Sequence, residues 1–569
     1  MAEHEGPYQY SRIGSQQFAA PPVSASTTDD ALEDRASQSY RHSTMMRTSE
    51  SGNSATDVFV RGSLLDRNIE AVDMAAVGKR VERSRDYKGR RKIWPGVLLA
   101  DYSKKQSASL DISEGSGSDT VSGDDIVSDD GVVGNPKSYP KSACELPDYQ
   151  SKDGHLVAIA ANGTEVQLKI KGINWFGMET GQAAPFGLWA NSENGTSVYH
   201  VAKFLANNKF NAVRLPLMAA WILENKEPNA ALINKNENRA ISTKNYMSLL
   251  KGIVKALQFR NIGVLLSMHT LTYQDNGPLW YNEEITEDKF LEAVGTLTSE
   301  LCSYEYWNIM GIDLKNEPYK GTWGDGGATD FAAGATRIAN HMLEGCSNWM
   351  GFIEGVNGQR SVNIDGTDFD YYDWYGGGLQ GAKELVVDFD VANKVVWAPH
   401  YYTPAVYPQA YLYGGGTAGE GATISGYVEL DDDALRHRIK VTMDDMFGFL
   451  ASETGPALLL GEFGGLYTKD AHPMKTTKRC TDFTLEIIKE PGWAGGFVWS
   501  LNPESAYQYN PADKAGTFTE GMLNDDWLSA NDDFVAAMTA LDDMENLLPF
   551  PCFPYEAPSD EASAESGSA

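Results

Sequence analysis

Eight short apolar runs, rich in β-branched residues and separated by helix-like stretches, constrain this 569-residue chain more than any other feature. They are Val166–Trp175, Asn211–Leu217, Gly263–His269, Ile309–Glu317, Trp349–Gly355, Lys394–His400, Ala457–Phe463 and Gly495–Leu501. Near-continuous apolar strands fit a parallel sheet covered on its outer face by helices. Between them, Thr196–Phe210 and Tyr246–Arg260 carry helical periodicity, and Leu249, Ile253, Ala256 and Leu257 share one face of the second. Strand then helix, repeated, predicts an α/β fold: a (β/α)8 TIM barrel with loop insertions, which can occupy ~250 to over 400 residues as one domain. A catalytic domain is expected over residues 145–545.

The flanks read differently. Residues 1–140 are rich in Ser, Asp, Gly and Arg and have no sustained periodicity. Too little apolar surface is available there to offset chain entropy, so a long disordered N-terminal region is expected, with a second acidic disordered tail over 556–569. The start, MAEHEGPYQYSRIG, lacks the basic and apolar regions of a signal peptide. Ile93–Ala100 follows a basic cluster but is far shorter than the ~20 apolar residues that span a bilayer, so no clear membrane segment is expected.

The formal net charge of -31 opposes nucleic acid and anionic lipid as partners. The 13 Trp and 27 Tyr suit the apolar faces of a neutral sugar polymer as well as a protein core. Five cysteines (Cys144, Cys302, Cys346, Cys480 and Cys552) show no CxxC pair. One or two disulfides are expected if the chain is exported, leaving at least one thiol free; spacing does not give their connectivity.

In a barrel of this kind the carboxyl ends of the strands form the face that carries chemistry. Here the runs end in Trp175, Arg214, His269, Asn316 and Glu317, Glu354, His400, Glu462 and Trp499. Solvation accounts for any one polar ending, but not for a set enriched in Glu, His, Arg and Trp. Glu317 and Glu462 each follow an apolar run that desolvates them in part. One carboxyl kept protonated and another kept charged are what acetal cleavage requires. Arg214 is placed to hold a carboxylate ionised, or to form a structural salt bridge at the rim. His269 and His400 could ligate a metal, yet the chain has only 9 His and no HxH or HExxH pair, so no metal and no cofactor is expected. Tyr402 could direct its hydroxyl at a carboxylate or fill the core. Trp175, Trp189, Trp280, Trp323, Trp374 and Trp499 lie on or just after strand ends; together they suit a sugar cleft, singly a core.

The ordered motifs GINWFGMET, GLW, FNAVRLP, IDLKNEP, FIEGV, WYGGGLQGA, HYYTPAVYPQ, LLLGEFGG, FVWSLNPES and GMLNDDW resemble those of glycoside hydrolase family 5, a clan A family of retaining barrel enzymes. The likeness is to bacterial-type endo-β-1,4-glucanases and covers roughly residues 150–530. It implies Glu317 as acid/base, Glu462 as nucleophile, and Arg214 and Asn316 as their supports, with Asn316 also meeting the sugar 2-hydroxyl. It implies that His400 and Tyr402 orient the pair. His269 would line the cleft, Trp499 would be a sugar platform, and Trp189 and Trp374 would bind glucose units. Two positions depart from the family pattern: Ser267-Met268-His269 stands where Asp-Arg-His is common, and Lys315 where His is common. Strand alternation predicts that Lys315 points outward, away from Asn316.

The expected activity is therefore double-displacement cleavage of β-1,4-glucosidic bonds by a monomer, outside the cell or at its surface. Another β-glycan (mannan, β-1,3-glucan or glycolipid), an inactive carbohydrate-binding barrel and a metal hydrolase are the alternatives.

Overall fold

The computed structural model describes Val132, residues 134–141 and residues 143–555. The two expected disordered tails fall mostly outside these residues. The packed chain reaches back beyond the expected boundary at 145: Arg239 Nε donates to the Asn135 carbonyl at 2.9 Å, and the Tyr139 ring lies 5.8 Å from that of Phe259.

A three-stranded antiparallel sheet comes first, β1 (Asp148–Lys152), β2 (His155–Ile159) and β3 (Glu165–Leu168). The barrel strands follow: β4 (Ile170–Asn174), β5 (Ala212–Met218), β6 (Gly263–Thr270), β7 (Ile309–Asp313) and β8 (Met350–Ile353). A hairpin, β9 (Gln359–Ile364) with β10 (Thr367–Tyr372), projects from the loop after β8. Next come β11 (Val395–Trp397) and β12 (His400–Tyr402), then a second hairpin, β13 (Tyr413–Ala418) with β14 (Ile424–Glu429). The barrel ends with β15 (Leu458–Gly464) and β16 (Trp493–Val498), followed by a third hairpin, β17 (Ala506–Tyr509) with β18 (Ala515–Thr519).

The barrel sheet is ordered β11-β8-β7-β6-β5-β4-β16-β15-β12, and a further β11–β15 pairing closes the ring. Every pairing in it is parallel. The eight apolar runs supply its eight staves, with two interruptions. Val166–Leu168 belongs to β3 rather than to the barrel. The run at 394–400 breaks into β11 and β12 at Pro399, which has no N–H for a ladder. The two helical patterns form Val198–Asn207 and Tyr246–Gln258, started by Ser197 and Asn245, whose side chains accept from the amides of His200 and Ser248.

Alternation along the strands sorts the layers. On β5, Val213, Leu215 and Leu217 enter the core under the helices, Ala212 joins a smaller core at the barrel floor, and Arg214 turns into the barrel. Four strands break this alternation: β6 at its end near Thr270, β16 between Trp493 and Gly496, and, nearest the site, β7 and β15. Between Val264/Ile309 and Leu265/Gly311, β7 carries one extra residue, and a Cβ on Gly311 would stand 2.0 Å from the Met350 carbonyl oxygen. Between the Leu460/Gly496 and Phe463/Val498 pairs, β15 carries one extra residue around Gly461, where a Cβ would stand 2.8 Å from the Ala398 oxygen. These bulges shift the side-chain parity. Asp313 and Glu462 therefore face the barrel interior, while Ile312 and Phe463 pack outward.

The floor is sealed by the β1–β3 sheet and the C-terminal segment. Phe550 packs against Gly263, Tyr149 donates its hydroxyl to the Trp307 carbonyl at 2.8 Å, and a Cys144–Cys552 disulfide ties the two ends of the domain. A second disulfide, Cys302–Cys346, joins the segments before β7 and β8, and Cys480 is a buried free thiol.

Candidate active site

Arg214 organises the mouth of the barrel. It is fully buried, and all three of its nitrogens are engaged. Nε donates to Asp313 Oδ2 at 2.9 Å, Nη1 to Asn174 Oδ1 at 2.9 Å and to Glu462 Oε1 at 2.5 Å. Nη2 donates to Asp313 Oδ2 at 2.5 Å, Asn316 Oδ1 at 2.8 Å and Glu354 Oε1 at 3.2 Å. Burial works against its charge, but Asp313, Glu462 and Glu354 outweigh burial and hold its pKa above the ordinary arginine value.

Glu462 accepts from Arg214 through Oε1 and from the Tyr402 hydroxyl through Oε2. Glu317 lies opposite. Its Oε1 is 3.1 Å from His400 Nδ1, which is also 3.6 Å from Glu462 Oε2. One carboxylate oxygen of Glu317, one of Glu462 and a ring nitrogen of His400 all fall within 4.8 Å of one another. Three such atoms could also meet a divalent ion. Here Arg214 and Tyr402 donate to the two Glu462 oxygens, which is how a charged nucleophile is held by the protein's own donors.

Burial pushes the Glu317 carboxyl up to about 8; the His400 contact opposes this and the nearby Glu462 charge reinforces it. A group of this kind carries a proton at neutral pH. Its backbone sits in the left-handed region, φ 47°, immediately before Pro318, a conformation that costs about 1–3 kcal/mol outside a site that enforces it. The enforcing contact is the Glu317 N–H, which donates to Glu354 Oε2 at 2.8 Å. His269 is buried beside Arg214, and burial with the Arg214 charge holds its imidazole well below the ordinary histidine pKa, hence neutral.

Among the aromatic candidates, Trp499 stacks on Phe176 at 5.4 Å and 7° and lies 6.1 Å from the His269 ring. Trp374 stands 6.3 Å from Tyr402, and Trp189 is half-buried beside Trp527. Trp175 and Trp280 need correction as substrate-binding residues. Trp175 is 1% exposed and donates Nε1 to the Phe186 carbonyl; Trp280 is 0% exposed and wedged between Phe331 and Gly334. Both rings are closed into the core, and Trp374 and Trp499 are nearly as deep at 3% exposed each.

Lys315 also departs from expectation. The strand ends at Asp313, so alternation no longer governs Lys315, and its ammonium donates at 3.1 Å to the His269 carbonyl and to that of Asn316. Burial lowers its pKa to about 8 against the pull of Glu354 and Glu317. Three carboxyls were not assigned roles from the sequence. Asp313 is Arg214's main partner, and an Asp inside an apolar run was the available signal, because a buried charge needs a counter-charge. Glu354 is legible in the sequence only as a polar residue after an apolar run. Glu179, buried in GMET, accepts from the Gly177 amide at 2.7 Å, and burial pushes it up to about 8.

Residues 160–505 match the cellulase family, glycosyl hydrolase family 5. The chain belongs to that family. It is 30% identical over 382 residues to the major extracellular endoglucanase of Xanthomonas campestris pv. campestris, covering 67% of this chain and 68% of that protein. It is 26% identical over 403 residues to an endoglucanase of Paenibacillus polymyxa, covering 68% of this chain and 86% of the relative. Among solved structures, a cellotetraose complex of an endocellulase from Pyrococcus horikoshii superposes with a TM-score of 0.57 at 26% identity, covering 70% of this chain and 99% of that one. The catalytic domain of the Xanthomonas enzyme gives 0.55 at 27% identity, covering 69% and 99%. Family 5 membership makes the chain a glycoside hydrolase and accounts for the barrel, in which β5, β15 and the turn after β7 bring Arg214, Glu462 and Glu317 together.

Proposed function

We propose that this protein cleaves β-1,4-glucosidic bonds of cellulose or a related β-glucan with retention of anomeric configuration. The observation that carries the reading is the approach of Glu317 and Glu462 oxygens to within 4.8 Å. Retaining glycosidases hold their carboxyls about 5–5.5 Å apart, whereas inverting ones separate them by about 6.5–9.5 Å to admit a water between.

In the first step Glu462 attacks the anomeric carbon while the Glu317 proton passes to the departing oxygen. The C–O bond to the leaving sugar breaks and an ester to Glu462 forms. In the second, Glu317 takes a proton from water, the water oxygen displaces Glu462, and the hydrolysed sugar leaves. Tyr402 and Arg214 orient the nucleophile, and His400 faces both carboxyls. Arg214 occupies Asn316 Oδ1, which leaves the amide Nδ2 for the sugar 2-hydroxyl. Trp499, Trp374 and Trp189 would supply the aromatic surface for glucose units, with His269, 6.1 Å from the Trp499 ring, lining the cleft.

All these groups come from one barrel, so a single chain can act alone. The two disulfides favour an oxidising compartment, which agrees with an extracellular or cell-surface polymer as substrate. The test is product analysis on a panel of soluble cellulose derivative, mannan and β-1,3-glucan, with NMR of the first-formed anomer. The expected result is β-anomeric oligosaccharide from the cellulose derivative, lost by roughly 10³-fold or more in Glu462→Gln with the fold intact. A first-formed α-anomer, or normal turnover by that variant, overturns the reading.

A further inference from the structure

Resting on the assignment of Glu317 as acid/base, we propose that Glu354 is its positioning residue, a single buried carboxyl that accepts the Glu317 backbone N–H and packs beside the imidazole facing the Glu317 side chain. Glu354 follows β8, and its side chain is 0% exposed. Oε2 accepts the Glu317 N–H at 2.8 Å. Oε1 stands 3.1 Å from His400 Nε2 and 3.2 Å from Arg214 Nη2. His400 in turn places Nδ1 3.1 Å from Glu317 Oε1. Glu317 is thus approached twice from one group, directly through its main chain and through His400 at its side chain.

The main-chain contact matters because Glu317 is a left-handed residue followed by proline. That combination is disfavoured for an unrestrained residue. Released from Glu354, the segment would relax toward extended backbone and swing the carboxyl away from the leaving oxygen. General acid catalysis depends on heavy-atom contacts within hydrogen-bond reach, so a small swing removes it.

The neighbouring strap Trp374–Gly378 is built around the same carboxyl. Gly376 has φ 76°, and a Cβ there would stand 2.4 Å from Glu354 Oε2 and 3.1 Å from the His400 ring. The Gly355 amide donates to the Gly376 carbonyl at 2.7 Å, fixing the strap over the site. Only glycine lets the chain close over Glu354 this tightly.

The experiment compares the full-length protein with Glu354→Ala, Glu354→Gln and Gly376→Ala. Each is assayed for kcat/KM on phenyl β-cellobioside and on 2,4-dinitrophenyl β-cellobioside, with thermal melting alongside. The phenyl leaving group needs the acid's proton and the dinitrophenyl group does not. Glu354→Ala should lose roughly 10²-fold on the phenyl substrate and far less on the dinitrophenyl one. Glu354→Gln keeps an acceptor for the Glu317 N–H and should recover most of the loss. Gly376→Ala presses on an unchanged Glu354 and should reproduce the leaving-group signature, which decides the matter if Glu354→Ala fails to fold. Equal losses on both substrates, or no loss, overturn the proposal. Inactivity of the unaltered protein on both would instead overturn the proposed function.

Discussion

His400 is paired in register with Glu462 across the parallel β12–β15 ladder, and Tyr402 is paired with Gly464. From that position Tyr402 still reaches back to Glu462 Oε2, while the His400 ring turns across the barrel to Glu317. One three-residue strand thus contacts both carboxyls. Backbone hydrogen bonds of the ladder fix the Glu462 side of the pair, whereas Glu317, beyond the end of β7, is held through its own N–H by Glu354.

The pH dependence follows from Glu317. Burial pushes this carboxyl up to about 8, and its proton is the one delivered to the leaving oxygen. kcat/KM should therefore fall as pH rises through about 8, and the limb should vanish in Glu317→Gln. The stability effect has a definite sign. A carboxyl whose folded pKa is raised binds a proton that the unfolded chain has released, so its contribution is full below the ordinary value of 4.5 and is lost as pH rises toward about 8. Urea unfolding at pH 5 and pH 8.5 should show the stability of the unaltered protein falling relative to Glu317→Gln.

Two tryptophans should separate binding from packing. Trp280→Ala empties a site in the closed core and should cost about 3–5 kcal/mol while leaving KM essentially unchanged. Trp499→Ala should raise KM for cello-oligosaccharides by roughly tenfold, the ~1.4 kcal/mol scale of one lost aromatic contact. Urea midpoints and initial rates on both variants check the contrast. A larger KM effect at Trp280 would return that residue to the cleft.

The clasp at the barrel floor should matter for stability alone. Cys144 and Cys552 are 408 positions apart, and the bond lies among floor residues such as Ala212 and Leu265. Cys552→Ser should cost about 2–5 kcal/mol in urea unfolding and leave the rate at 25 °C unchanged. Cys480 is fully buried and burial drives its thiol pKa upward, so alkylation of the non-reduced protein should label it only after unfolding.

The barrel was legible because parallel strands must be apolar on both faces, and such runs stand out against the helices between them. The eight staves lie where those runs predict. Arg214, Glu317, Glu462, His400 and Tyr402 were legible as a set because each lies in or just past one of the apolar runs, although in the structure Arg214 and Glu462 stand inside β5 and β15 and Glu317 follows the end of β7. What stayed hidden depended on parity and on third dimensions. The bulges at Gly311 and Gly461 reverse inward and outward, which no run length reveals. Trp175 and Trp280 look like Trp499 in a string of letters, since an indole that fills a core and one that meets a sugar have the same apolar ring. Lys315 was misplaced because alternation was carried two residues past the end of its strand. The Cys144–Cys552 pairing needed the floor to be built before its ends could meet.

The extra residues in β7 and β15 carry a consequence for anyone altering this scaffold. Pairing either stave as an even ladder with every residue kept would turn Asp313 or Glu462 by half a turn, out of reach of the arginine they share. In this barrel, regularity and reactivity are competing designs, and the enzyme's working groove exists where the pleat miscounts.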